Sequence, residues 1–275
     1  MERQEVRAHG LVADYFYDRS SDPGRAIVML GGSEGGRMWS RPQTLLKALT
    51  GRGYRVMSLA YFKEPGLPNS LEEIPLEYFE TAFDWLAKQP GIIADEYGLI
   101  GGSKGSEVAL VLASRYAQVK LVVALMPSSV VWSGIPKNRF DLSKHGKSSW
   151  SYQGQGLPFL PVTFSRSDWW SLLTLRLKDK AEEALQNQEA AQAAAIAVEE
   201  CGCPILLLSG TRDRIWPATL MAEQITRRLD DSAYDYPYEH VTYDTGHTWL
   251  VRNRQVWGKA FDFMDRHFTM VSMPA

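Results

Sequence analysis

Tyr97-Gly98-Leu99-Ile100-Gly101-Gly102-Ser103-Lys104-Gly105-Ser106-Glu107-Val108-Ala109-Leu110 decides how this chain folds. Tyr97 to Ile100 is a short apolar run that reads as a buried strand. Ser106 to Tyr116 carries Val108, Leu110, Val111 and Leu112 with no Gly or Pro, and reads as a helix that begins at once. Between them, Gly101 to Gly105 fits G-x-S-x-G, a serine on a sharp strand-to-helix turn. The glycines two before and two after Ser103 leave room for the turn and for close helix–strand packing. Such a turn lifts the hydroxyl out of the sheet above a helix N-terminus, where developing negative charge is favoured.

Gly31-Gly32-Ser33-Glu34-Gly35 fits the same pattern. The pattern alone arises by chance in roughly one chain in ten of this length, so context decides between the two serines. Ser33 follows a strand, Ala26 to Leu30, but Gly35-Gly36 comes next and the helical pattern starts only near Met38. That is a loop. α/β hydrolases place the second oxyanion-hole amide on a glycine-rich loop after an early core strand. Ser103 is therefore read as the nucleophile, with Ser33 as its rival. The backbone N–H of Lys104, with that of Ser33 or Glu34, would form the oxyanion hole. A nucleotide-phosphate cradle is the alternative for both loops, but neither has the spacing of GxxxxGK[ST] or GxGxxG.

A serine needs a base, and the base needs a third group to orient it. In this fold the chain order is Ser, then Asp or Glu, then His. Pro204 to Ser209 is a continuous apolar strand, and Asp213 lies in the loop beyond its carboxyl end, where open α/β sheets put their sites. Pro217 suits the first turn of a helix over Ala218 to Leu229. The strand His240 to Tyr243 is followed by Asp244-Thr245-Gly246-His247. Asp213 and His247 complete the expected triad, with Asp244 held as the reserve acid. Taken singly, Asp213 could be a helix cap or turn residue, and His247 a packed surface residue. The other histidines fit less well: His9 precedes the core, His145 lies in a polar segment, His240 is inside a strand and His267 is on the terminal helix.

The 275 residues, 45% hydrophobic, suffice for one large α/β domain over 1–275 with an insertion. Strands are expected from Val6 to Tyr17, at 26–31, Tyr54 to Leu59, before Ser103, and from Lys120 to Met126, with a turn at Asp22-Pro23-Gly24. Helices are expected over about 38–51 and from Leu71 to Gln89, with Leu76, Phe79, Phe83 and Leu86 on one face. Strands alternating with helices imply a mostly parallel, doubly wound sheet. No run of about 18 apolar residues suggests a membrane span. The charged start, Met1 to Glu5, lacks the apolar core of a signal peptide. Cys201 and Cys203 are too close for an ordinary disulfide, and without nearby histidines make no metal site. A reduced, cytoplasmic setting is expected. So is a small-molecule substrate, with no metal, no cofactor, no membrane partner and, at a net charge of −2 without a basic block, no nucleic acid.

The alternation breaks at about 128–202, after the sixth core strand. Residues 128–167 are rich in Ser, Gly and Pro; Ser167 to Gln192 looks helical, and Gln186 to Ala197 is a structural Ala/Gln-rich stretch. An irregular segment of this length inside a domain reads as a lid. Its Trp132, Trp150, Tyr152, Phe159, Trp169 and Trp170 would line an apolar acyl pocket or anchor the lid on the core. Lys137, Arg139, Lys144 and Lys147, against Asp141 alone, form a basic run that is either a solvated face or a seat for an anionic substrate tail such as the phosphates of CoA.

Several stretches carry a family resemblance. They are Leu30-Gly-Gly-Ser-Glu-Gly-Gly36, Leu59-Ala60-Tyr61-Phe62, Leu67-Pro68, Ile74-Pro75-Leu76-Glu77-Tyr78-Phe79-Glu80 and Trp85-Leu86. With the elbow Leu99 to Gly105, Gly210-Thr-Arg-Asp-Arg-Ile-Trp-Pro217 and Gly246-His247, they resemble the C-terminal catalytic domain of the acyl-CoA thioester hydrolase and bile acid-CoA:amino acid N-acyltransferase family. The likeness spans most of 26–260 and fades in the lid beyond Ser128-Ser129. It implies an α/β-hydrolase fold and a Ser/Cys-His-Asp triad acting on acyl thioesters. The family's N-terminal β-sandwich has no counterpart in the residues before Ala26. The nucleophile is serine where the amino-acid acyltransferases resemble this pattern with cysteine, and serine favours transfer to water. A serine thioesterase is the leading expectation. A carboxylesterase, a biosynthetic acyltransferase or cyclase, and a non-catalytic binding protein on the same scaffold are the rivals.

Overall fold

Parallel strands buried on both faces need continuous apolar sequence, and the chain supplies several such runs. The computed structural model describes residues 1–19, 24–138, 146–162 and 176–269. The strands of its main sheet are β1 (Glu2–Val6), β2 (Val12–Tyr17), β3 (Gly24–Leu30), β4 (Arg55–Ala60), β6 (Ile92–Gly102), β7 (Val119–Leu125), β10 (Ile205–Gly210) and β11 (Tyr238–Tyr243). Their order is β1-β2-β4-β3-β6-β7-β10-β11. β1 and β2 pair antiparallel, and β2 pairs antiparallel with β4. From β4 to β11 every pairing is parallel.

Alternate side chains feed two cores. Ala26, Val28 and Leu30 of β3 join Tyr97, Leu99, Ile205 and Leu207 beneath α2 (Glu77–Ala87), α3 (Lys104–Ala113) and the helix Ala218–Asp231. Ile27 and Met29 join Ile100, Leu206 and Leu208 beneath α1 (Gln43–Thr50) and the helix Arg254–His267. The chain leaves β3 for β4 on one side and returns to β6 on the other. The order of the sheet therefore reverses between β3 and β6, and the carboxyl ends there flank a crevice. Those two ends carry the Gly31–Gly36 loop and Ser103.

Several expected elements differ. The helix expected over about 38–51 is a 3-10 turn, Met38–Ser40, then α1, because Pro42 precedes Gln43 and interrupts the run. The strand before Ser103 begins at Ile92, not Tyr97. The helix expected from Leu71 begins only at Glu77. Leu71 to Leu76 is extended instead, with the Leu71 and Ile74 amides donating to Ile135 O and Ser149 O at 2.8 and 2.9 Å. Pro75 has no N–H to give a helix, and Glu77 and Glu80 favour a first turn placed after it. Ile74–Pro75 forms β5, which pairs with β8 (Trp150–Tyr152), itself paired with β9 (Gln155–Gly156). Of the turn expected at Asp22-Pro23-Gly24, only Gly24 lies within the described residues.

Between β7 and β10 the described chain includes two short helices, Lys178–Leu185 and Gln188–Ala193. Val130, Trp132, Leu160, Ala181 and Ala194 pack there with Met221. Residues 167–175 of the expected helix lie outside the described residues. Cys201 and Cys203 are free and buried, and burial pushes the Cys203 thiol up to about 12. Among the described residues no helix is long and apolar enough to cross a membrane.

Candidate active site

β6 runs straight into α3 through Ser103, which takes φ 55° and ψ −117°. A non-glycine residue in that region costs about 1–3 kcal/mol and persists only where its neighbours over-determine it. Here they do. The Ser103 amide donates to Leu125 O at 2.9 Å, and Ser103 O accepts from the amides of Ser106 and Glu107 and from Ser106 Oγ. The flanking glycines are required by close approach. A Cβ on Gly101 would lie 2.2 Å from Gly105 O, and one on Gly105 would lie 2.2 Å from Leu30 O. The helix that follows is buried throughout its length.

The Gly31–Gly36 loop lies against this turn. A Cβ on Gly32 would meet Gly102 O at 3.0 Å and Ser103 Cβ at 3.2 Å. The loop is shaped by groups the sequence reading missed. Glu34 folds back so that Oε1 accepts from the Gly32 amide at 2.8 Å. Tyr61 Oη donates to Gly31 O, and Lys63 Nζ donates to Ser33 O at 2.9 Å. Tyr61 follows an apolar strand, so its hydroxyl carried no sequence signal beyond its place in the family-like stretch. Among the described residues, no acceptor takes the amides of Ser33, Glu34 or Lys104. Lys104 begins α3, and the first amides of a helix have no partner within it.

Asp213 and His247 are brought together. Asp213 is buried; its Oδ1 accepts from the amides of Ile215 and Trp216, each at 2.9 Å. Its Oδ2 accepts from His247 Nδ1 at 2.6 Å. With the proton held on Nδ1, Nε2 is left as the basic nitrogen. Gly246 sits at the cap of the one-turn helix His247–Leu250. Asp244 points elsewhere: it is exposed and paired with Arg212 at 2.8 Å. His240 Nε2 shares a 2.8 Å hydrogen bond with Ser209 Oγ inside the sheet, and burial lowers its pKa. His267 packs on Phe263, and His145 lies outside the described residues.

Trp132 and Trp150 are almost wholly buried. The Trp132 indole N–H donates to Ser128 Oγ and that of Trp150 to Glu107 Oε1, both at 2.8 Å. Trp132 leans on Trp216, and Trp150 on Tyr61 and Phe79. Both therefore sit as anchors between the insertion and the core. Trp169 and Trp170 lie outside the described residues, as do Arg139 and Lys144 of the basic run. Lys147 of that run pairs with Glu73 at 2.6 Å. A different basic cleft borders His247. Arg212, Arg214, Arg252, Trp249, Thr245, Gly246 and Asn253 line about 830 Å³. Trp249 is 64% exposed, with the Arg252 guanidinium 5.6 Å from its ring centre.

A family model described as BAAT / Acyl-CoA thioester hydrolase C terminal matches residues 74–250. The chain belongs to this family. Mouse acyl-coenzyme A thioesterase 1 is 30% identical over 235 residues, covering 86% of this chain and 51% of that protein. Its human counterpart is 28% identical over 245 residues, covering 89% and 53%. The chain thus spans about half the length of these thioester-hydrolase relatives. Among solved structures, the alpha/beta hydrolase GrgF from Penicillium sp. sh18 is similar at a TM-score of 0.61 and 17% identity, covering 97% of this chain and 99% of that one. The Pyrococcus furiosus esterase Pf2001 is similar at a TM-score of 0.57 and 15% identity, covering 97% and 92%. This thioester-hydrolase family member therefore has the α/β-hydrolase fold.

Proposed function

We propose that the protein is a serine hydrolase that cleaves acyl thioesters through Ser103, His247 and Asp213. The observation that carries this reading is a pairing. A strained serine heads α3, and the 2.6 Å His247–Asp213 bond lies beyond neighbouring strands of the same sheet. Ser103 Oγ attacks the acyl carbonyl while His247 Nε2 takes its proton. The amides of Lys104 and of Ser33 or Glu34 hold the oxyanion, each donor contributing about 3–4 kcal/mol in such sites. The carbon–sulfur bond then breaks, and His247 returns the proton to the leaving sulfur, giving a free thiol. Water, deprotonated by His247, attacks the acyl-enzyme; the acid leaves and Ser103 regains its proton. Asp213 keeps the imidazole oriented and stabilises its cation throughout.

A phosphorylated leaving group such as CoA suits the cleft beside His247. Guanidinium groups recognise phosphate through paired hydrogen bonds, and an exposed indole offers a face for an aromatic base. The names of the curated relatives agree with that substrate class.

Thiol release from short, medium and long acyl-CoAs, measured beside p-nitrophenyl ester hydrolysis, tests the reading. Thioester turnover is expected to vanish in Ser103→Ala and to persist largely in Ser33→Ala. Ester turnover alone, still dependent on Ser103, would remove CoA from the proposal. Activity surviving in Ser103→Ala would overturn the nucleophile.

A further inference from the structure

Lys104 follows the nucleophile, and its side chain runs away from solvent. Lys104 Nζ is buried, 3.2 and 3.0 Å from the two carboxylate oxygens of Glu107, which is itself completely buried. Burial draws the lysine pKa down and pushes that of the glutamate up, while each charge steadies the other. An ion pair of this kind repays its desolvation only if its remaining hydrogen-bonding capacity is filled. Here the insertion fills it. Lys104 Nζ also donates to Ser149 Oγ at 2.7 Å and to Ser133 O at 3.3 Å. Glu107 Oε1 accepts from Trp150 Nε1 at 2.8 Å and from the Trp132 amide at 3.2 Å. Ser149 Oγ in turn donates to Trp132 O at 2.9 Å.

Two apolar residues would stabilise a buried helix face at least as well. What the charged pair adds is direction. Four residues of the insertion, from two separate stretches of chain, close on one ammonium and one carboxylate. The ammonium belongs to the residue whose amide faces the proposed oxyanion. Holding Lys104 Nζ at several points limits rotation of its backbone, and with it the aim of that amide.

We propose that Lys104 and Glu107 are positioning residues that couple docking of the insertion to the aim of the Lys104 amide, an inference that rests on the reaction proposed at Ser103. Substrate that settles against the insertion would thereby meet an oxyanion hole already set. A loosened insertion would lower the rate of attack more than it lowers affinity.

The test uses the full chain and an organophosphonate that labels the nucleophilic serine. Its tetrahedral adduct needs the same amides and no CoA. Lys104→Met/Glu107→Gln keeps both shapes and the one oxygen that accepts from Trp132 and Trp150, and leaves no buried charge. It is expected to unfold in urea near the wild-type midpoint, yet to label about 10–100-fold more slowly. Its kcat should fall by a similar factor with KM within about threefold, and amides of residues 130–135 and 147–152 should exchange faster with solvent. Ser149→Ala leaves the ion pair intact and removes the insertion's shortest contact to it, together with the Ser149–Trp132 bond inside the insertion, so it tests the coupling even if the double variant folds poorly. It should slow labelling about 3–10-fold. Labelling of Ser149→Ala at the wild-type rate would overturn the inference. A wild type that takes the label at Ser103 but turns over no thioester would overturn the substrate reading alone, and the labelling comparison would still decide this one.

Discussion

One methyl group added at Gly105 would drive α3 away from β3. The new Cβ would lie 2.2 Å from Leu30 O and 2.5 Å from Gly31 O, both backbone atoms of the strand end and its loop. That is about 1 Å inside ordinary contact, and a strand backbone cannot rotate aside as a side chain can. Either α3 or the loop must therefore move by about 1 Å. Both proposed sources of oxyanion amides ride on these segments, since Lys104 begins α3 and Ser33 follows two residues after Gly31. A misplacement of that size costs about 100-fold in rate, and overpacking a buried site costs about 1–3 kcal/mol. Gly105→Ala is expected to show both, by urea unfolding and by turnover per labelled active site. Gly258→Ala is the control. It lies in the helix Arg254–His267 with nothing within 4 Å of its would-be Cβ. It should gain about 0.5–1 kcal/mol with turnover unchanged. Wild-type stability and rate in Gly105→Ala would mean that α3 and β3 do not touch at Gly105, and the elbow geometry would fall with that contact.

Asp213→Asn keeps an acceptor for the Ile215 and Trp216 amides but cannot accept from His247 Nδ1 through nitrogen. Its kcat should drop about 10³–10⁴-fold with KM little changed; steady-state kinetics would expose a smaller loss. Burial lowers the pKa of His240, so the unfolded chain takes up its proton first as acid is added. The stability this residue contributes is complete above its unfolded value, about 6.5, and is lost as pH falls through the lower folded value. Urea midpoints measured from pH 7 to 5 should therefore fall less in His240→Gln than in wild type; parallel curves would refute this. Arg214→Ala/Arg252→Ala should raise KM for acyl-CoAs several-fold and leave p-nitrophenyl ester hydrolysis unchanged. Equal effects on the two substrates would remove the basic cleft from CoA recognition.

The parts legible in the sequence are those written locally. The elbow is one strand, one turn and one helix in consecutive residues, and its glycines announce the close contacts that Gly101 and Gly105 make. Asp213 and His247 each follow a strand, so their place at the carboxyl end of the sheet could be inferred before their contact was seen. The parts missed depend on distant chain. Leu71 to Leu76 has helix-like spacing, but its amides are taken by Ile135, Ser148, Ser149 and Ser151. Lys104 and Glu107 have the spacing of an ordinary surface pair on a helix; Trp132, Ser133, Ser149 and Trp150 arrive from elsewhere and bury it. Trp132 and Trp150 were open to two readings because composition says that an indole will be covered, not by what.

The insertion is sewn down unevenly. Ile135, Ser149 and Trp150 stitch it to Leu71, Ile74 and Lys104 by backbone and buried polar bonds. The helices Lys178–Leu185 and Gln188–Ala193 bury one alanine and no residue, respectively. Substitutions at the stitched residues disturb the core, while those on the two helices cost little stability. Sequence change therefore has an inexpensive address in this chain, on the two lightly packed helices, and substitutions should accumulate there before the stitched residues change.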